Sequence, residues 1–553
     1  MPRYALGLDF GTESGRALLV DVSNGSEVAT AVHNYPHGVV DDRLPETDEK
    51  LPPDWALQDP DDYWATLEVI VPEVLRLAGA SAAEVVGIGI DFTACTLVPT
   101  RVDGTPLSRD PLLRSIPHAW AKLWKHHGAQ PEAERINALA EQRGESFLGR
   151  YGGRTSSEWL LAKAWELLND APELYAQADR FIEAGDWVVW QLTGREIRSA
   201  CQAGYKGMWS RADGYPSPEF LATLDLSLTS LVRDKLPGEV LPVGARAGEL
   251  TEAAATRLGL RQGIPVGVSI IDAHAGVPAA GVSEPGKMLL ILGTSGCHLV
   301  LGAEGKSFPG IAGVVQDGIL PGFFGYEAGQ PATGDILAWF IRNGVPAEYH
   351  REAEERSVGA HQVLVEKASL LRPGENGLLA LDWWNGNRSV LMDADLSGVL
   401  IGLTLDTRPE DIYRALIEAT AFGTRMILEN FSQHGVKIDE IIAAGGLAER
   451  NELLVQIYAD VTGRPIRIAR SGQACALGAA ILGAVAAGSA EGGYDDLSQA
   501  VARMGGVKDR VYTPGAAEHI RYTDLFGEWV RLHDYFGRGE NNVLKKLRAW
   551  RAG

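Results

Sequence analysis

The unit that opens the chain returns near its middle, and this repetition limits the fold more than any other feature. Residues 4–10 read YALGLDF and 17–22 read ALLVDV, two apolar runs rich in β-forming residues. Gly11-Thr12-Glu13-Ser14-Gly15-Arg16 lies between them as a glycine-rich turn, so the unit predicts a β-hairpin. At 287–301 the sequence KMLLILGTSGCHLVL gives an apolar run, a Gly-Thr-Ser-Gly turn and a second apolar run. A repeat on the scale of a domain means one structural plan used twice. In the first half, helix-spaced apolar residues at 62–78 follow Asp59-Pro60, a buried strand VVGIGIDF spans 85–92, and Trp-rich helices are expected at 156–170 and 181–193. The Trp residues there read as core. In the second half, helices are expected at 333–342 and 409–433. EIIAAGGLAER at 440–450 reads as a strand ending in Gly-Gly, and the Ala/Gly-rich stretch 473–488 as a helix able to approach a neighbour closely. Strands alternating with helices, twice over, predict two α/β lobes with a cleft between them. Gly and Pro cluster at 281–286, which divides the chain into 1–282, 283–515 and a charged helical tail, 516–553.

Composition narrows the partners. A chain of 553 residues is too long for one ordinary core. Its 51 Lys and Arg against 72 Asp and Glu give a net charge of −21, which argues against nucleic acid or an anionic membrane as partner. An anionic nucleotide is not excluded, because backbone N–H groups and a Mg²⁺ ion hold phosphates on acidic proteins. Cys95, Cys201, Cys297 and Cys475 form no CxxC pair, so neither a disulfide framework nor a zinc site is indicated. Met1-Pro2-Arg3-Tyr4 runs straight into a strand pattern unlike a signal peptide, and no apolar run reads as long enough to span a bilayer, so the expected location is the cytoplasm.

Several strand ends carry chemistry. Gly281 to Met288 nearly matches GxxxxGK[ST], but Met288 replaces the hydroxyl residue and a strand follows where a helix is needed, so the match fails. At Asp9-Phe10-Gly11-Thr12-Glu13-Ser14, the Gly admits a close backbone approach, Thr12 and Ser14 offer hydroxyls to phosphate, and Asp9 can hold Mg²⁺ through water. The bland alternative is a hairpin turn with a capping Asp. Leu292-Gly293-Thr294-Ser295 repeats the device, again with a tight turn as its alternative, and two such turns facing across a cleft would clamp one polyphosphate. Gly445 and Gly446 end a strand without side chains, which lets backbone lie flat against adenine or ribose; Asn451 could bond the nucleoside or cap a helix. Asp272, after the apolar Ile270-Ile271 and among small residues, is either a general base or a helix N-cap, and the neighbouring His274 reads as packing. The segment 91–96 (DFTACT), Lys206 in GYKGMWS and Glu327 in GYEAGQ mix charge with aromatic and small residues, as a sugar site requires, although each alone could be an ordinary surface charge.

Taken in order, DFGTESG, IDFTACT, GYKGMWS, IDAHAG, LGTSG, GYEAGQ and AAGGLAERN resemble the FGGY carbohydrate kinases over roughly residues 4–500. The resemblance implies an α/β fold of two actin-like (ribonuclease H-like) lobes, with ATP and a sugar in the cleft. It implies that Asp9, Gly11 and Thr12 belong to the first phosphate and Mg²⁺ site, and Gly293, Thr294 and Ser295 to the second phosphate loop. Gly445, Gly446 and Asn451 match the adenosine motif, which has two glycines where several relatives have three. Asp272 matches the catalytic base, and Ala94, Lys206 and Glu327 the sugar-contacting positions. IDFTACT and GYKGMWS are the most specific segments; they imply transfer of phosphate from ATP to the terminal hydroxyl of ribulose, L-ribulose ahead of D-ribulose, within L-arabinose breakdown. A kinase for xylulose or ribitol is the near rival, and a chaperone-type or cytoskeletal ATPase of the same superfamily the distant one. Members of the family are often dimers, though the sequence shows no interface signature.

Overall fold

The structure is a computed structural model that describes residues 2–552 apart from Glu46 and Asp48. Two large sheets organise it. Across the first the strands run Arg246–Glu249, Pro265–Gly267, Val85–Phe92, Tyr4–Phe10, Ser14–Asp21 and Glu27–Asn34, with Ile270–Ile271 also beside Val85–Phe92. Across the second they run Val507–Tyr512, Ile466–Ala469, Ile438–Ala444, Gly286–Leu292, Gly296–Gly302, Phe324–Gln330 and Gly313–Gln316. In each sheet the hairpin strands pair antiparallel, the first hairpin strand pairs parallel with the next strand, and that strand pairs parallel with another. A third strand extends the hairpin side antiparallel, and an antiparallel edge strand closes the far side. The repeat seen in two hairpins therefore extends through six strands of each sheet, and two α/β lobes are present as expected.

Val85–Phe92 is buried at every position because both faces of its sheet are covered, which is why it reads as an unbroken apolar run. On one face Leu6, Leu8, Ile88 and Ile90 pack with Tyr63, Leu67, Ile70, Trp187 and Val188 of two helices, Pro60–Ala78 and Ala184–Thr193. The first of these starts where the sequence signals it: Asp59 accepts from the Asp61 N–H, Pro60 takes the first position, and Gly79 ends the helix at φ 61°. Two expected helices begin later than periodicity suggests. Residues 180–183 form a strand paired with Leu97–Thr100, and the helix starts at Ala184; the other Trp-rich helix starts at Leu160. Phe181 and Ile182 fit a strand as well as a helix, and the long-range pairing decides between them. Trp159, Trp165, Trp187 and Trp190 are all buried, so these residues are core. A small sheet of Leu57–Gln58, Ala121–Lys122, Leu97–Thr100 and Arg180–Glu183 builds out the first half.

The other face of the first sheet is covered by Ala474–Glu491, a helix from the second half of the chain. Its contacts need glycine on both sides. A β-carbon on Gly7 would overlap the carbonyl of Ala476, one on Gly89 that of Ala479, and one on Gly87 that of Gly483. On its far side, Gly478 admits the carbonyl of Ala275 in the helix Asp272–Ala279. Among the described residues, Ala474–Glu491 is long and apolar enough by length and composition to cross a bilayer, contrary to the expectation that no such run exists; its apolarity comes from Ala and Gly and is spent between the sheets. The tail helix Ala516–Gly537 sends Tyr522, Phe526 and Trp529 into the core of the second half.

Candidate active site

Three adjacent strands of the first sheet end in a carboxylate. Asp9 and Asp91 are register partners on parallel strands, and Ile271 pairs with Phe92, so Asp272 emerges beside them. Carboxyl ends of parallel strands are where α/β sheets bind ligands. Asp91 is 0% exposed, and neither of its oxygens has a hydrogen-bond partner among the described residues. Burial first, then the charges of Asp9 and Asp272, push its pKa well above the usual carboxylate range. Asp9 is also raised by burial, against the opposing effect of Arg16, whose Nη1 lies 3.3 Å from Oδ2. Asp272 opens its helix at the first helical position, with Ile271 as the cap, so the capping alternative does not account for it. Its side chain accepts from its neighbour Ala273, N–H to Oδ1 at 2.7 Å. Burial, followed by the charges of Asp9 and Glu327, raises its pKa to about 7, although the Ala273 N–H and Lys206 act the other way.

The first turn spends its carbonyls on the protein and closes on itself through the Gly11 N–H, which donates to the Ser14 carbonyl at 3.0 Å. Gln58 Nε2 donates to the Thr12 carbonyl at 2.7 Å, and Tyr35 Oη to that of Gly11 at 3.1 Å. Trp124 Nε1 donates to Thr12 Oγ1 at 3.1 Å. Indole is a donor only, so the Thr12 hydroxyl accepts here and its own proton remains available to a ligand. The second turn follows the same rule. Thr333 and Gly334 donate backbone N–H groups to the carbonyls of Thr294 and Gly293, at 2.8 and 3.0 Å, and Thr333 Oγ1 also bonds the Gly293 carbonyl at 3.0 Å. Gly293 N–H likewise donates to the Ser295 carbonyl at 3.0 Å, so the hydroxyls and the other N–H groups of each turn are the donors left for an anion. Gly445, at φ 93°, packs so closely on Leu292 that a β-carbon would meet its carbonyl, and Gly446 opens the next short helix; this brings the third glycine-rich strand end against the second turn. Asn451 is 6% exposed, and its Oδ1 accepts from the Leu454 N–H at 3.0 Å; of its two readings, the helix cap is realised.

The sugar-facing candidates gather on the other side of Asp272. Ala94 lies in the turn 93–96, where Cys95 sits at φ 59° and its carbonyl receives Lys163 Nζ at 2.6 Å. Lys206, 4% exposed at the end of the helix Ala200–Lys206, lies 3.3 Å from Glu327 Oε2. His274 Nε2 is 3.6 Å from the same oxygen, and Arg388 Nη2 donates to Oε1 at 2.6 Å. Burial disfavours the Glu327 charge, but Lys206, Arg388 and His274 together lower its pKa to about 2. Burial would depress Lys206, yet Glu327 holds it above its ordinary range. Burial, with Lys206 and Arg388, lowers His274 to about 4, so it is a neutral ring packed on Tyr205. Glu327 therefore anchors two cations, and both its oxygens are engaged. Sequence reasoning missed Arg388 and Trp124, and it placed Asp91 with the sugar candidates of 91–96, where the structure sets it beside Asp9. The segment 383–389 (WWNGNRS) has the aromatic, Gly and charge mixture that drew attention to GYKGMWS, and would have flagged Arg388.

Residues 4–277 match the N-terminal domain of the FGGY family of carbohydrate kinases, and 288–487 the C-terminal domain of the same family. A ribulokinase from Geobacillus thermodenitrificans is 53% identical over 99% of this chain and 97% of its own length. A ribulokinase from Mycolicibacterium smegmatis is 51% identical over 100% of this chain and 97% of its own. Among solved structures, xylulose kinase from Rhodospirillum rubrum superposes with a TM-score of 0.77 at 25% identity, covering 96% of this chain and 98% of that one. Glycerol kinase from Plasmodium falciparum, solved with ADP, shares the fold at a TM-score of 0.74 and 17% identity, over 96% of this chain and 98% of its own.

Proposed function

The chain belongs to the FGGY family of carbohydrate kinases, carrying both of its domains, and we propose on that premise that it transfers the γ-phosphate of ATP to the terminal hydroxyl of ribulose, giving ribulose 5-phosphate. The observation that carries the reading is the position of Asp272: it follows a strand end beside Asp9 and Asp91, and its carboxyl feels the charges of Asp9, Lys206 and Glu327. A base so placed reaches both a sugar hydroxyl and the phosphate it attacks.

Phosphoryl transfer depends mainly on alignment and on stabilising charge at the transferred group. The turns at Gly11-Thr12 and Gly293-Thr294-Ser295 supply N–H and hydroxyl donors to the polyphosphate. The backbone at Gly445-Gly446 accepts the nucleoside, while Asn451 serves the helix beneath it. Asp9 would hold Mg²⁺ through water, a fit that its hard oxygens and the orphaned carboxylate of Asp91 support; when bound, the ion neutralises phosphate charge. Lys206 directs donors at the sugar, and Ala94, in the turn pinned by Lys163, lets it lie close to backbone. Asp272 takes the hydroxyl proton late, once the oxygen has begun to bond phosphorus. L-ribulose is the preferred epimer in this reading, with cytoplasmic ATP as donor and L-arabinose breakdown as the setting.

Asp272→Asn is expected to lower kcat by about 10²–10⁴-fold, the usual contribution of a general base, and to leave MgATP binding within about twofold. Initial rates with L-ribulose, D-ribulose, xylulose and ribitol test base and substrate together. Near-normal kcat in the variant would remove Asp272 from the role, and a parent faster on xylulose or ribitol would replace the substrate.

A further inference from the structure

Arg388 is the one strong charge of the sugar-facing cluster that the reaction outlined above does not use. Its backbone is fixed: Ser389 N–H donates to the Gly329 carbonyl at 3.1 Å, Gly329 N–H returns a bond to Ser389 Oγ at 3.2 Å, and Asn387 and Asp393 exchange backbone bonds of 2.8 Å. Its stem lies flat over Gly329, where a β-carbon would come within 3.3 Å of Arg388 Cδ. One nitrogen bonds Glu327 Oε1 at 2.6 Å, and the side chain is 39% exposed. Besides Glu327, the carboxylate of Glu158 favours its charge. The guanidinium thus stands on one oxygen of Glu327, with Lys206 on the other.

We propose that Arg388 is a substrate-binding, specificity-determining residue that donates to acceptor oxygens of the bound sugar and, with Lys206, selects carbonyl-bearing ketoses over polyols. The inference rests on the sugar-kinase reading. Guanidinium and ammonium groups only donate, and of the five N–H donors of a guanidinium one is committed to Glu327. A ketose carbonyl only accepts, so it satisfies two neighbouring cationic donors without bringing in a proton of its own. A polyol hydroxyl in the same place brings a proton that needs an acceptor, and on Glu327 it competes with Lys206 and Arg388, each of which already holds one lone-pair site. A site that leaves buried polar groups unpaired with the wrong ligand discriminates strongly.

Arg388→Lys keeps the charge but loses the fork, and Arg388→Ala loses both. KM and kcat would be measured for ribulose, xylulose and ribitol at saturating ATP, and for ATP at saturating sugar, alongside thermal melts. Arg388→Lys is expected to raise the ketose KM about tenfold, as loss of a charge-assisted bond does, with the ATP KM within about twofold and the melting temperature unchanged. The ketose-to-polyol ratio of kcat/KM should fall in both variants, and guanidinium ion should restore part of it to Arg388→Ala. Unchanged ketose KM and ratio, or sugar and ATP constants moving together with a lowered melting temperature, would overturn the proposal. So would a parent that prefers ribitol. A parent that phosphorylates xylulose in place of ribulose would overturn the ribulose assignment alone, because the Arg388 ratio can then be read on xylulose.

Discussion

Burial holds the Asp272 carboxyl at a pKa of about 7 in the free protein, and two measurable consequences have opposite signs. Only the ionised form accepts a proton, so kcat/KM for the sugar should rise about tenfold per pH unit below 7 and level off above it. A profile flat from about pH 5.5 to 7.5 would contradict this. For stability, an unfolded Asp titrates near ~4. Between that value and 7 the folded state keeps a proton that the unfolded state has lost, so stability falls as pH rises through this window. Asp272→Asn should therefore melt higher than the parent at pH 8, with the gain vanishing as pH falls to about 4. Identical melting curves at pH 8 would show that the carboxylate carries no such cost. The sequence made Asp272 legible because a lone acid among small residues after an apolar strand is unusual. It could not reveal the protonation state, which arises first from burial and then from Asp9 and Glu327, 263 and 55 positions away along the chain. Asn451 shows the converse: both its readings were open until the Leu454 N–H was found on its side chain.

At the scale of elements, the helix Ala474–Glu491 could be read from composition, but its partner could not. Its Ala and Gly content announces close packing, whereas the glycines that receive it, Gly7, Gly87 and Gly89, lie in two strands of the other half. Nothing in either stretch names the other. Gly89→Ala would push a β-carbon into the Ala479 carbonyl and is expected to cost about 1–3 kcal/mol or more, since backbone cannot step aside as a side chain can. Gly79→Ala is the control: its β-carbon would meet nothing within 4 Å, so only the left-handed φ of 61° is charged, about 1 kcal/mol. Denaturant midpoints measure both, and Gly89→Ala no worse than Gly79→Ala would disprove the close contact. The late start of the helix Ala184–Thr193 has the same origin, a strand pairing that periodicity does not encode.

For the whole molecule, the hairpin repeat foretold two lobes, and the six-strand correspondence of the sheets extends that to nearly every strand. The division of the chain at 282 and the division of its packing do not coincide, because the first sheet is finished by a helix from the second half. Residues 1–282 expressed alone would expose Ala5, Leu18, Val20 and Val86, and are expected to aggregate; co-expression with 283–553 should restore soluble protein. A soluble 1–282 that unfolds cooperatively would refute this. The same glycine contacts also bear on heredity. Any single-base change that replaces Gly7, Gly89 or Gly478 adds at least a β-carbon where a carbonyl already stands. In a population of variants selected for growth, the silence of those codons should rival that of the codons for Asp9, Asp91 and Asp272, so that the gene's least forgiving letters would mark the hidden axis of the molecule as clearly as its mouth.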